Sequence, residues 1–157
     1  MCLRVKLNPD LSYNIKKATN STSCFKIVVN CGGGKYQTPF QKVDLESSVM
    51  QGLKRFEAGG ESIEEILDSA NAYENWFNEH CRKINGGVIH TMTDLNEAIH
   101  FAKYVGLVNS PNYAEIWQCE IDRGEEYVSG VDDNGYSCLG SKSIRFKKKL
   151  CEYSNGY

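Results

Sequence analysis

The stretch Gly86-Gly-Val-Ile-His-Thr91, then Asp94-Leu-Asn-Glu-Ala-Ile-His-Phe-Ala-Lys-Tyr-Val-Gly106, then Ala114-Glu-Ile-Trp-Gln-Cys-Glu-Ile121, decides the fold class of this chain. Val88 to Thr91 is a short run rich in β-branched residues and reads as a strand. Asp94 with Glu97 three residues later is a capping box: the aspartate takes an orphan amide and the glutamate reaches back. Leu95, Ala98, Ile99, Ala102 and Val105 recur at helical spacing, and Gly106 reads as the stop. His100 falls off that stripe. After a loop holding Ser110-Pro111, Glu115 to Ile121 alternates as a strand does. Glu125 to Ser129 and Ser141 to Leu150 are further strands, the last setting Ile144, Phe146 and Leu150 against Arg145, Lys147 and Lys149. Asn134-Gly135 between them is a hairpin signal.

Toward the N-terminus the same grammar continues. Cys24 to Val29 reads as a strand with Phe25, Ile27 and Val29 on one face. Gly32-Gly33-Gly34 after it permits positive φ and predicts a hairpin. A phosphate-cradling loop would lead straight into a helix, whereas Lys35 to Phe40 looks extended. Asp44 to Glu57 reads as a short helix stopped by Ala58-Gly59-Gly60. Ser62 and Glu65 form a second capping box, and Ile63, Ile66, Leu67, Ala70, Tyr73 and Phe77 make a stripe that predicts a helix to Ile84. Residues 1–23 read as an N-terminal arm and residues 151–157 as a flexible tail, leaving 24–150 as one domain. The expected fold is a single α+β domain. It has a mostly antiparallel sheet of about five strands and two main helices, Ser62 to Ile84 and Asp94 to Val105.

Composition excludes several classes. A net charge of -2 on 157 residues gives no global attraction to nucleic acid or anionic membrane. No apolar run approaches a membrane span, and the first residues lack the apolar block of a signal peptide, so a cytoplasmic protein is expected. The seven cysteines form no Cys-x-x-Cys pair, and their odd number argues for buried reduced thiols over a disulfide framework. The sharper alternative is a nucleophilic cysteine paired with His80, His90 or His100. Asn20-Ser21-Thr22 has the form of a glycosylation acceptor, which counts only in a secreted protein. Asp132, Asp133 and Asn134 open like a calcium loop, but Ser137 and Ser143 stand where the glycine and glutamate belong, so calcium is rejected. Arg145 with Lys147-Lys-Lys149 reads as a blunted sheet edge more readily than as a nucleic-acid patch.

Two groups of residues remain as candidate sites. His90 and Thr91 sit at a strand end just before a helix start, where orphan amides favour a neutral or singly charged ligand. Tyr36, Phe40 and Tyr136 lie on glycine-flanked loops and would make an aromatic contact platform, with Tyr36 shared between ligand and partner. No catalytic residue, metal ligand or cofactor is expected.

Gly87-Val-Ile-His-Thr91, Ala98-Ile-His-Phe-Ala102, Ile116-Trp-Gln-Cys-Glu120 and Ser141-Lys-Ser-Ile144 together resemble the C-terminal half of the ADP-ribosyltransferase-like fold. The chain also resembles small uncharacterised proteins of bacteriophages and gut bacteria. The first resemblance implies an NAD-using transferase, with Glu120, Glu125 or Glu126 standing in for the catalytic glutamate. The family places that glutamate near the late strand, where this chain has Ser141, Lys142 and Ser143. The functional expectation is therefore a non-enzymatic binding or inhibitor protein, of the kind a phage encodes. It would act on a host protein or a small nucleotide-like ligand, with a homodimer compatible. The ADP-ribosyltransferase-like enzyme is the alternative.

Overall fold

Every strand pairing among the described residues is antiparallel, and the sheet is far larger than the sequence suggests. The computed structural model describes residues 3–74 and 80–154. Its strands are β1 (Leu3–Lys6), β2 (Lys16–Lys17), β3 (Thr22–Gly32), β4 (Lys35–Gln37), β5 (Asp44–Leu45), β6 (Phe56–Glu57), β7 (Asn71–Glu74), β8 (His80–Ile84), β9 (Ile89–Met92), β10 (Tyr113–Ile121), β11 (Glu126–Val131), β12 (Ser137–Ser141) and β13 (Ser143–Tyr153). The helices are α1 (Ser47–Met50), α2 (Ile63–Ser69) and α3 (Leu95–Val108). The α+β class stands loosely, but five strands and two main helices do not: among the described residues there are thirteen strands, and α3 is the one long helix.

The main path runs β6-β13-β10-β3-β9-β12-β11-β1-β8-β7. This sheet is strongly curled. β10 and β11 lie four inter-strand steps apart, about 19 Å in a flat sheet at ~4.8 Å per step. The chain from Ile121 to Glu126 spans at most about 17 Å when extended. It is not extended, because Glu125 N donates to Asp122 O at 3.1 Å. Curling brings the two strand ends together and lets both faces be covered. One face packs Ile27, Val29 and Ile116 against α2 and α3; the other packs Cys24, Val28 and Phe146 against α1.

The largest departure concerns the predicted helix from Ser62 to Ile84. The capping box at its start forms: Ser62 Oγ accepts from Glu65 N at 3.2 Å and Glu65 Oε1 accepts from Ser62 N at 3.3 Å. The helix then ends at Ser69, and Asn71 to Glu74 pairs with β8, with Asn71 opposite Lys83 and Glu74 opposite His80. β8 in turn pairs with β1 along its length. Long-range pairing overrides a local stripe of apolar residues. Phe77, the last residue of that stripe, lies outside the described residues.

Smaller corrections have equally local causes. Asp44 to Glu57 holds only the one-turn α1 between two short strands. Asp94 caps α3, but Glu97 does not close the box; its carboxylate accepts from Ser137 N at 2.9 Å instead. Gly106 is no stop. It lies inside α3, where a Cβ would sit 2.8 Å from Tyr153 O, so it is the residue that lets β13 press against the helix. Leu95 is 41% exposed and outside the core. Gly86 and Gly87, both at positive φ, turn β8 into β9. The 1–23 segment carries β1, whose Leu3 and Val5 are in the core, and β2. Cys151 to Tyr153 extends β13, and residues 155–157 lie outside the described residues.

Candidate functional site

β3 offers one edge to two different strands, and the candidate site opens between them. Toward its start, Phe25 pairs with Met92 of β9; toward its end, Val29 pairs with Gln37 of β4. Lys26 and Ile27 fall in the gap, where the partners diverge. The result is a cleft of about 220 Å³. Its walls are mostly apolar, with Phe25, Ile27, Val88, Ile89 and Met92 among them. The loop from Thr38 to Val43 roofs it. Thr38 clamps that loop: its N–H donates to Val43 O and its Oγ1 accepts from Val43 N, both at 3.0 Å. Lys42 Nζ then donates to Asn109 Oδ1 at the end of α3, anchoring the roof to the helix.

Lys26 dominates the electrostatics. Its neighbours in β3 are Cys24 and Val28, two buried residues on the same face. Nζ donates to His90 O across the gap at 3.0 Å. Among the described residues no carboxylate lies within ion-pair distance of it. Other lysines do have such partners: Lys147 with Glu120 at 3.5 Å, and Lys149 with Glu152 at 3.3 Å. Burial pushes the Lys26 ammonium down to about 8, which leaves it mostly charged at neutral pH. Burial first, and then the Lys26 charge, hold the His90 imidazole down to about 4, so the ring is neutral there. His90 Nε2 is buried and has no hydrogen-bond partner.

His90 and Thr91 both line this cleft, yet they belong to opposite faces of the sheet. His90 stands opposite Gly140, while Thr91 stands opposite Leu139 and beside the Cys24 thiol. The positive charge at the site comes from Lys26 and not from the first amides of α3: no residue from Asp94 to Glu97 lines the cleft. Lys26 is the candidate residue that the sequence offered only as a possible counterpart of the strand-one arginine or histidine of the ADP-ribosyltransferase-like fold, and not as a site residue. Its signal was a lone cation in the apolar run Cys24 to Val29, a strand now seen to be covered on both faces.

The three aromatic residues do not form one platform. Phe40 is 45% exposed, lines the cleft, and meets Phe101 edge-on at 5.8 Å. Phe101 in turn meets Tyr136 at 6.3 Å, so Phe40 and Tyr136 are linked through a core ring. Tyr36 stands elsewhere, edge-on to Trp117 at 6.2 Å. Below it Glu115, fully buried, accepts from Asn30 Nδ2 at 2.7 Å and from Trp117 Nε1 at 2.8 Å. That carboxylate is satisfied and holds β10 to β3.

The other candidates resolve into structural roles. Glu120 pairs with Lys147, Glu125 meets Arg55 Nη1 at 2.6 Å, and Glu126 is exposed; none of the three lines the cleft. Six described cysteines are free thiols. Burial pushes Cys24 up to about 11, Cys138 up to about 12 and Cys119 higher still, so none of these is a ready nucleophile. Asp132 Oδ1 accepts from Asn134 N and Tyr136 N, both at 2.9 Å, and so shapes the β11–β12 turn. No cluster of metal-ligating side chains exists among the described residues, and no helix among them is long and apolar enough to cross a membrane. No family model, curated protein or solved structure matches the chain.

Proposed function

We propose that this chain is a ligand-binding protein whose cleft takes a small, largely apolar molecule bearing one anionic group. The observation that carries the reading is Lys26: a cation in a mostly apolar cleft that donates to one neutral acceptor and has no ion-pair partner among the described residues, the one carboxylate of the lining, Glu57, being paired with Arg55 at 3.3 Å. A buried unpaired charge costs several kcal/mol, so a fold that keeps one in an open cleft has a use for it. A carboxylate or singly charged phosphate ester would take its remaining donors. The apolar body of the ligand would pack on Phe25, Ile27 and Phe40, and His90 Nε2 would accept a hydrogen bond from it. A nucleotide-like molecule has this chemistry. The free thiols fit a reducing compartment such as a cytoplasm.

The test compares isosteres. Benzoate and benzamide, and AMP and adenosine, are titrated while the amide signals of β3 and β9 are followed by NMR. A charge-assisted hydrogen bond is worth about 1.5–3 kcal/mol, so the acid of each pair is expected to bind at least tenfold more tightly. Lys26→Met should remove that preference. Equal binding of acid and neutral isostere would overturn the reading. Including NAD tests the transferase alternative: release of nicotinamide would revive it.

A further inference from the structure

We propose that Lys26 also captures carbonyl compounds covalently, its amine condensing with a small aldehyde or ketone held in the cleft. The inference rests on the same cleft being the binding site, but not on the anion preference.

Four observations converge on it. The amine stands in a gap between strands, where a molecule of a few ring atoms has room. Its one hydrogen bond, to His90 O, leaves the other donors and the lone pair of the neutral form uncommitted. Mostly apolar walls and the lack of an ion-pair partner for Lys26 among the described residues favour the neutral amine. With the ammonium near 8, about one molecule in ten carries the free base at pH 7, roughly 300-fold more than for an ordinary lysine. The neighbouring thiols, the natural competitors for an electrophile, are silenced by burial.

The chemistry balances without a redox partner. The nitrogen lone pair attacks the carbonyl carbon and the C=O π electrons move to oxygen. The ammonium so formed loses a proton and the oxygen gains one, giving a carbinolamine. The hydroxyl then leaves as water while nitrogen forms the C=N bond. The sum is amine plus carbonyl giving imine plus water. Water in the open cleft carries the proton from nitrogen to oxygen.

The experiment uses the native protein, benzaldehyde as probe and cyanoborohydride to fix the imine as a benzylamine. Peptide mapping then reads each lysine. Lys26 is expected to label at least 30-fold faster than Lys54 or Lys147. Labelling at or below the surface rate would overturn the proposal. Lys26→Met should lose this fast label while keeping its circular dichroism, and Lys26→Arg should lose it too. Benzoate separates the two readings. If benzoate binds with the expected preference and benzaldehyde does not label Lys26, the covalent proposal falls alone. If Lys26 labels fast and benzoate shows no preference over benzamide, the anion reading falls alone.

Discussion

Replacing Lys26 by methionine should make this protein more stable while removing the anion preference proposed for its cleft. Methionine keeps the length of the side chain and fits between Cys24 and Val28 on an apolar strand. What it removes is the cost of holding a cation out of water. An ordinary lysine titrates at 10.5 and this one at about 8. At about 1.4 kcal/mol per unit, the gap corresponds to a penalty of about 3 kcal/mol whenever the amine is charged. The substitution also leaves His90 O without its donor, which costs about 1 kcal/mol. The net gain at pH 7 is about 2 kcal/mol, or about 4–8 °C in melting temperature for a chain of this size. The pH dependence carries its own sign. Between pH 8 and 10.5 the unfolded chain holds the lysine proton and the folded one releases it. Wild-type stability therefore rises with pH across that window. Lys26→Met should lose that rise, and subtracting its urea-unfolding curve from the wild-type curve isolates this one group from the tyrosines. A variant that is destabilised at pH 7, or that keeps the wild-type slope, would refute the reasoning.

Three further outcomes follow from the same geometry. His90 titrates at about 4 when folded and 6.5 when unfolded, so its contribution is intact above pH 6.5 and falls away toward pH 4, by about 3 kcal/mol in all. His90→Leu should flatten that part of the stability profile measured by thermal melts. Gly130→Ala places a Cβ 2.2 Å from Arg4 O in the adjoining strand β1 and should cost about 3 kcal/mol, whereas Gly59→Ala meets nothing within 4 Å and should change stability by less than about 0.5; equal effects in urea titration would contradict the close approach of β1 and β11. Tyr36→Ala should cost about 1–2 kcal/mol through its contact with Trp117, while Phe40→Ala should leave stability within about 1 kcal/mol and weaken ligand binding. Weakened binding by Tyr36→Ala alone would mean the cleft is not the site.

Local chemistry determined what could be read in one dimension. Ser62 and Asp94 cap helices because a short polar side chain beside an apolar periodic run has one favourable place to bond. Gly32 to Gly34 turn because only glycine sits easily at positive φ, and Asp132 to Gly135 turn β11 into β12 for related reasons. Phe25, Ile27 and Val29 share a face because a strand alternates. What tertiary structure alone decided was partnership. Asn71 to Glu74 is a strand because β8 lies alongside it. Gly106 continues a helix because Tyr153 arrives against it. Glu97 abandons its capping box for Ser137, forty residues away. The cleft exists because β4 and β9 claim opposite ends of one edge of β3. No spacing along the chain encodes that competition, and only the gap it leaves turns Lys26 from a lone charge in an apolar strand into the group that defines the site.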